Sequence, residues 1–156
     1  MTLSRSLFLF LFFAQTANAE TYKIETVGYG QSNDYFEALA GNLQVYKSDF
    51  SYDRYEYADD ARLKIASGRC FGSFIIINGE PNGGGNCVFT DVNGDKVLQA
   101  WNLDEVALGV GHGTYHLIGG TGAHERISGR GYYTNELVAR TGETRTTISG
   151  TISWPD

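Results

Sequence analysis

The chain has 156 residues and a formal net charge of −6, with 20 glycines but only two prolines and two cysteines. An acidic chain without a basic stripe is not typical of nucleic-acid-binding proteins, because attraction to phosphates dominates their affinity. The same charge argues against docking onto anionic lipid, so neither nucleic acid nor a membrane is an expected partner.

The N-terminal residues have the three parts of an export signal. Arg5 supplies a positive charge, residues 7–13 form a short apolar run, and Ala17 and Ala19 form a small-x-small cleavage site. The alternative is a membrane anchor, which needs about 20 apolar residues, more than this run contains. We therefore predict a signal peptide over residues 1–19, one domain over 20–156, and export to the periplasm or the extracellular space.

The next part of the chain gives one clear element and one ambiguous region. Alternation of side-chain types over residues 22–27 predicts a first strand. Residues 28–60 are rich in tyrosine and acids, so we expect a partly irregular connection. Within it we expect a short helical turn at 35–40 and two strands, at 43–46 and 51–57.

The second half of the chain alternates between apolar runs and turn residues. A glycine-rich turn is expected at residues 82–86, and Asn93-Gly94 predicts a hairpin because both residue types accept positive φ. The predicted strands cover residues 62–78, 87–92, 96–101, 113–118, 127–135 and 145–154. In all, about seven to nine short strands indicate an all-β barrel or sandwich.

The two cysteines of an exported chain are expected to pair. A Cys70–Cys87 disulfide would close a loop of sixteen residues. In the chain-entropy model such a loop stabilises the fold by roughly 3 kcal/mol. The alternative, a reactive thiol, is less favoured because there is no CxxC spacing.

No metal site or cofactor is predicted. His112 and His116 share a strand face but lie about 13 Å apart, too far to bind one ion. Residues 91–95, Asp-Val-Asn-Gly-Asp, hint at calcium, but the twelve-residue loop pattern is absent. A hairpin held by Asx hydrogen bonds is the favoured interpretation.

Glycine and cysteine motifs follow one another in a recognisable order between residues 70 and 133. They are Cys70, Gly72, Cys87, Gly94, Asp95, Trp101, Gly119, Gly120, Thr121, Gly122, Gly129, Gly131 and Tyr132. This order resembles that of uncharacterised exported bacterial proteins with a barrel of the allene oxide cyclase and dirigent type. The resemblance implies a single antiparallel β-barrel of about eight strands with an apolar interior. It also implies a homo-oligomer, either a trimer or a dimer.

The interior of such a barrel is the expected ligand site. Aromatic side chains with polar tips can line a cavity and orient a ligand. An interior carboxylate would have a raised pKa and could serve as an acid or base. We predict that the ligand-binding residues are Glu25, Trp101, Tyr115, His116 and Tyr132.

Three functions follow as hypotheses. The first is binding of a small apolar or aromatic ligand in the barrel. The second is a cofactor-free isomerase or cyclase of the allene oxide cyclase type, which needs a buried ionisable group facing a cavity. The third is a protein-interaction or self-assembling barrel. The charged residues to test for catalysis are Glu25, Glu80, Asp104, Glu105 and Arg126.

Overall fold

The computed structural model describes residues 20–39, 41–138 and 141–154. The predicted signal peptide over residues 1–19 lies outside these ranges. The described chain forms nine strands and a 3₁₀ helix over Gly122–His124. The strands are β1 (Glu20–Ser32), β2 (Tyr35–Ala38), β3 (Leu43–Tyr57), β4 (Ile65–Ile77), β5 (Glu80–Asp91), β6 (Lys96–Ala107), β7 (Val110–Gly120), β8 (Ser128–Val138) and β9 (Glu143–Trp154).

The sheet closes on itself. Neighbours in the chain pair antiparallel from β3 to β9, and β9 pairs with β1 along its length. The second half of β3 pairs with β1 and completes the barrel, whereas its first half pairs with β2. The result is an eight-stranded barrel with one extra short strand, which confirms the predicted single antiparallel barrel.

A β-bulge in β3 changes which side chains face inward. Gly30 pairs with Tyr52 and Tyr29 pairs with Arg54, so Asp53 has no partner on β1. One extra residue reverses the alternation of a strand. As a result Tyr52 and Tyr55 both face the interior, although they are three residues apart. The two short strands predicted at 43–46 and 51–57 are therefore one bulged strand.

Two local predictions are wrong. The helical turn expected at residues 35–40 is strand β2 over 35–38, because Phe36 pairs with Tyr46 and their rings lie 4.8 Å apart. The turn expected at 82–86 lies inside β5, and the hairpin turns earlier, at Asn78-Gly79. Long-range pairing outweighs local propensity at both places.

Several glycines within strands make room for aromatic rings that reach them from other strands. A Cβ on Gly72 would lie 2.6 Å from the ring of Trp101, and one on Gly113 would lie 2.5 Å from that of Tyr133. Gly129 and Gly131 lie in β8, where a Cβ would meet the backbone of β9. Gly72 and Gly113 thus let large rings lie against the inner wall, whereas Gly129 and Gly131 allow a close approach of the β9 backbone.

A disulfide joins Cys70 and Cys87, which are direct partners on β4 and β5 with Cα atoms 4.0 Å apart. Both cysteines are buried in the core of the barrel. No helix among the described residues is long and apolar enough to cross a membrane.

Candidate functional site

The barrel contains a cavity of about 280 Å³. It extends from the disulfide, near the middle of the barrel, to the end where β4, β6 and β8 finish and β3 begins. We call this end of the barrel the cavity end. Most of its wall is apolar, formed by Phe50, Phe74, Ile76, Phe89, Trp101, Leu103, Val106, Leu137 and Ile148.

The uncharged polar side chains on the wall are Ser48, Tyr46, Tyr52, Tyr55, Gln99, Tyr133, Asn135 and Thr146. No lysine, arginine or histidine is among the described residues that line the cavity, and Asp34 is the only carboxylate. Asp34 is exposed, and its Oδ1 accepts a hydrogen bond from the backbone N–H of Asp49 at 2.9 Å. The cavity is therefore an apolar, aromatic pocket with scattered neutral hydrogen-bonding groups.

The tyrosines of the wall stay protonated at neutral pH. Burial raises the pKa of Tyr52 to about 12, although its hydrogen bond to Thr146 acts in the opposite direction. Burial likewise raises the pKa of Tyr55 and of Tyr133 above the usual phenol range. The Tyr133 hydroxyl already donates to the backbone oxygen of Asn102, and that of Tyr52 is paired with Thr146. Of the three, it is therefore the Tyr55 hydroxyl, unpaired among the described residues, that can donate to a ligand. As phenols with raised pKa values, all three are poor bases.

A hydrogen-bonded network fixes one side of the cavity. The hydroxyls of Tyr52 and Thr146 lie 2.8 Å apart. The Asn135 amide nitrogen donates to Thr146 at 2.6 Å and to Thr144 at 2.7 Å. Both amide hydrogens of Asn135 are used in this way, so β3, β8 and β9 are tied together at the wall.

Three buried polar atoms have no hydrogen-bond partner within the described ranges. They are the hydroxyls of Tyr55 and Tyr115 and the indole nitrogen of Trp101. Buried polar groups are usually paired, so such atoms mark places where stability is given up. Two of the three residues, Tyr55 and Trp101, line the cavity.

The sequence-predicted ligand residues do not come together. Trp101, 8% exposed, lines the cavity, and Tyr115, 3% exposed, lies in the core outside the lining. Glu25, His116 and Tyr132 are exposed on the outer face of the barrel. The structure thus brings one of the five residues to the cavity.

The charged residues considered for catalysis are all exposed: Glu25, Glu80, Asp104, Glu105 and Arg126. None of them lines the cavity. Within the described part of the chain, no cluster of three metal-ligating side chains occurs. Residues 91–95 form a hairpin in which the backbone N–H groups of Asn93 and Asp95 donate to Asp91, as the Asx interpretation predicts.

The opposite end of the barrel is filled. We call it the packed end and define it by Tyr22, Asp91, His124 and Trp154. The Trp154 indole donates to Nδ1 of His124 at 3.3 Å, and Nε2 of His124 lies 3.0 Å from the Asp91 carboxylate. Because Nδ1 accepts a hydrogen bond, Nε2 carries the ring proton and donates a hydrogen bond to the Asp91 carboxylate. The ring of Tyr22 contacts that of Trp154 at 5.9 Å.

Sequence reasoning missed most of the cavity wall. A signal for Gln99 was available, since Val97, Gln99, Trp101 and Leu103 occupy alternate positions on one strand and share its inner face. For Tyr55 no such signal existed, because the bulge at Asp53 decides its direction.

The comparisons with known proteins add a likeness of fold only. No protein-family model matches the sequence, and no curated protein matches it. Among solved structures, a pterocarpan synthase dirigent protein is similar over 100% of both chains, with 14% identity and a TM-score of 0.48. The fold is established by the strand pairings of this chain itself.

Proposed function

We propose that this protein binds a small, apolar, aromatic molecule inside the barrel. The observation that carries this proposal is the cavity of about 280 Å³ with its aromatic wall. Small-molecule sites are typically concave and mostly apolar, with a few placed polar groups, and they begin at about 300 Å³. A ligand of one or two fused rings suits a cavity at this lower limit.

The chemistry of the side chains that line the cavity favours binding over catalysis. An isomerase or cyclase without a cofactor needs an acid or base at the reacting atoms. The wall offers neutral amides, hydroxyls and phenols with raised pKa values, and its single carboxylate is exposed. These groups can orient a molecule, but they are poorly suited to proton transfer near neutral pH.

The proposal is tested by replacing a small side chain of the cavity wall with a large one that fills the cavity. Ser48 is buried and lines the cavity, whereas Ser51 on the same strand is exposed. Calorimetric titration with 2-methylnaphthalene should show binding to the wild type and to Ser51→Phe. Ser48→Phe should weaken binding by about tenfold or more, a change of about 1.4 kcal/mol. Equal affinities for the two variants, or no binding to the wild type, would exclude the cavity as the site.

We also propose that the protein works outside the cytoplasm, as a periplasmic or extracellular protein. The Cys70–Cys87 disulfide supports this location, because such bonds persist in oxidising compartments. The exported protein should have the mass of a chain that starts at Glu20. Replacing Ala17 and Ala19 with leucine should block cleavage. A full-length mass for the exported wild type would contradict the proposal.

A further inference from the structure

Gln99 lies deep in the cavity and is only 6% exposed. It pairs with Cys87 on β5 and with Leu117 on β7, so its amide stands beside the disulfide at the bottom of the cavity. The mouth lies farther along the same walls, at Val106 and Leu137. An amide at this depth contacts the part of a ligand that enters first.

The amide of Gln99 lacks a good hydrogen-bond partner in the described part of the chain. Its Nε2 approaches only the Sγ atom of Cys87, at 4.0 Å, and sulfur is a weak acceptor. A buried amide whose N–H meets only a weak acceptor costs free energy, and apolar neighbours cannot recover that cost. By contrast, Asn135 on the same wall has both amide hydrogens bonded to threonine hydroxyls. Gln99 is the amide that a ligand can satisfy.

The charges of the site restrict the ligand further. A charged group in an apolar interior needs a partner of opposite charge, and no cationic side chain is among the described lining residues. Asp34, at the mouth, would also repel an anion. The polar group that reaches Gln99 is therefore neutral.

From this geometry we propose that Gln99 is a specificity-determining residue for a neutral aromatic ligand with a hydrogen-bond donor and acceptor side by side, as in a carboxamide or lactam. A carboxamide can both accept from Nε2 and donate to Oε1 of Gln99, with its rings toward the mouth of the cavity. This inference rests on the proposed function, since it requires that the cavity binds an aromatic molecule.

The test compares three probes with the same two rings: 2-naphthamide, 2-methylnaphthalene and the anion 2-naphthoate. For the wild type, calorimetry should show 2-naphthamide binding about tenfold tighter than 2-methylnaphthalene, as expected from one or two net hydrogen bonds. The anion should bind more weakly than either. In Gln99→Met, which keeps the length of the side chain, the preference for the amide should disappear while 2-methylnaphthalene binds as before.

The outcomes separate the two proposals. If none of the probes binds the wild type, the proposed function fails and this inference fails with it. If 2-methylnaphthalene binds but the amide has no advantage, or keeps its advantage in Gln99→Met, only the role of Gln99 is overturned. Tighter binding of 2-naphthoate than of the two neutral probes would contradict the conclusion that the ligand is neutral. The probe comparison in the wild type stands even if Gln99→Met fails to fold.

Discussion

Buried polar groups are hydrogen-bonded to one another at the packed end of the barrel, whereas two of those around the cavity have no partner in the described part of the chain. At the packed end, Asp91, His124 and Trp154 form a continuous chain of hydrogen bonds. In the wall of the cavity, the hydroxyl of Tyr55 and the indole nitrogen of Trp101 have no partner within the described residues. A protein gains stability where such groups are satisfied and keeps capacity for a ligand where they are not. The difference supports a structural role for the packed end and the ligand binding that we propose for the cavity.

The polar chain of the packed end also links distant parts of the sequence. Asp91 ends β5, His124 ends the 3₁₀ helix, and Trp154 ends β9. The hydrogen bonds that Asp91 accepts from His124 and from the backbone lower the pKa of its carboxyl, although burial alone would raise it. The carboxylate is thus held in its charged form inside the fold.

The largest effect is expected from removing His124. His124→Ala leaves the Asp91 carboxylate and the Trp154 indole without their common partner, so the free energy of unfolding should fall by about 3 kcal/mol. Denaturant unfolding measures this loss. The control is His116→Ala on the exposed outer face, which should change stability by less than about 0.5 kcal/mol. Equal losses of unfolding free energy in both variants would contradict a structural role for the packed end.

A smaller effect concerns pH. The pKa of Asp91 is lowered in the folded state, so its contribution to stability is complete above the unfolded value of about 3.9 and is lost as pH falls through the lower folded value. Asp91→Asn should have a lower Tm than the wild type at neutral pH, and the gap should close below about pH 4. The lowered pKa of Asp49, beside Arg69, acts equally in both proteins. A constant Tm gap at all pH values would contradict this account.

The smallest effects compare two tyrosines of the cavity wall. Tyr52→Phe removes a hydroxyl that is hydrogen-bonded to Thr146 and should cost about 1 kcal/mol of stability. Tyr55→Phe removes a hydroxyl without a partner and should leave stability unchanged or slightly higher. Thermal unfolding distinguishes the two. A larger loss in Tyr55→Phe than in Tyr52→Phe would show that the unpaired hydroxyl is satisfied in solution.

Local patterns were sufficient to predict much of the fold. Alternating side chains and Gly and Asn clusters predicted most strands, and the Asn93-Gly94 hairpin forms with Gly94 at positive φ. The disulfide was predicted from the count of cysteines together with the predicted export signal. Each of these features depends on residues close in sequence or on composition alone, which is why a single sequence reveals them.

The cavity depends on information that a single sequence does not contain. Tyr55 faces inward only because Asp53 bulges out of register with β1. Trp101 lies along the wall because Gly72, two strands away, has no side chain. Gln99 lies on a predictable inner face, but its position beside the disulfide follows from pairing with β5. These relations join residues far apart in the chain, and they determine where the binding groups meet.

Of the two tryptophans of the chain, Trp101 lies in the wall of the cavity and Trp154 at the packed end. Their indole N–H resonances in a two-dimensional ¹⁵N–¹H NMR spectrum therefore report the two regions separately. Titration with 2-naphthamide is the most direct test of the central claim. We predict that the Trp101 resonance shifts while that of Trp154 stays in place. A shift of Trp154 alone, or of neither resonance, would contradict a ligand site at the cavity end.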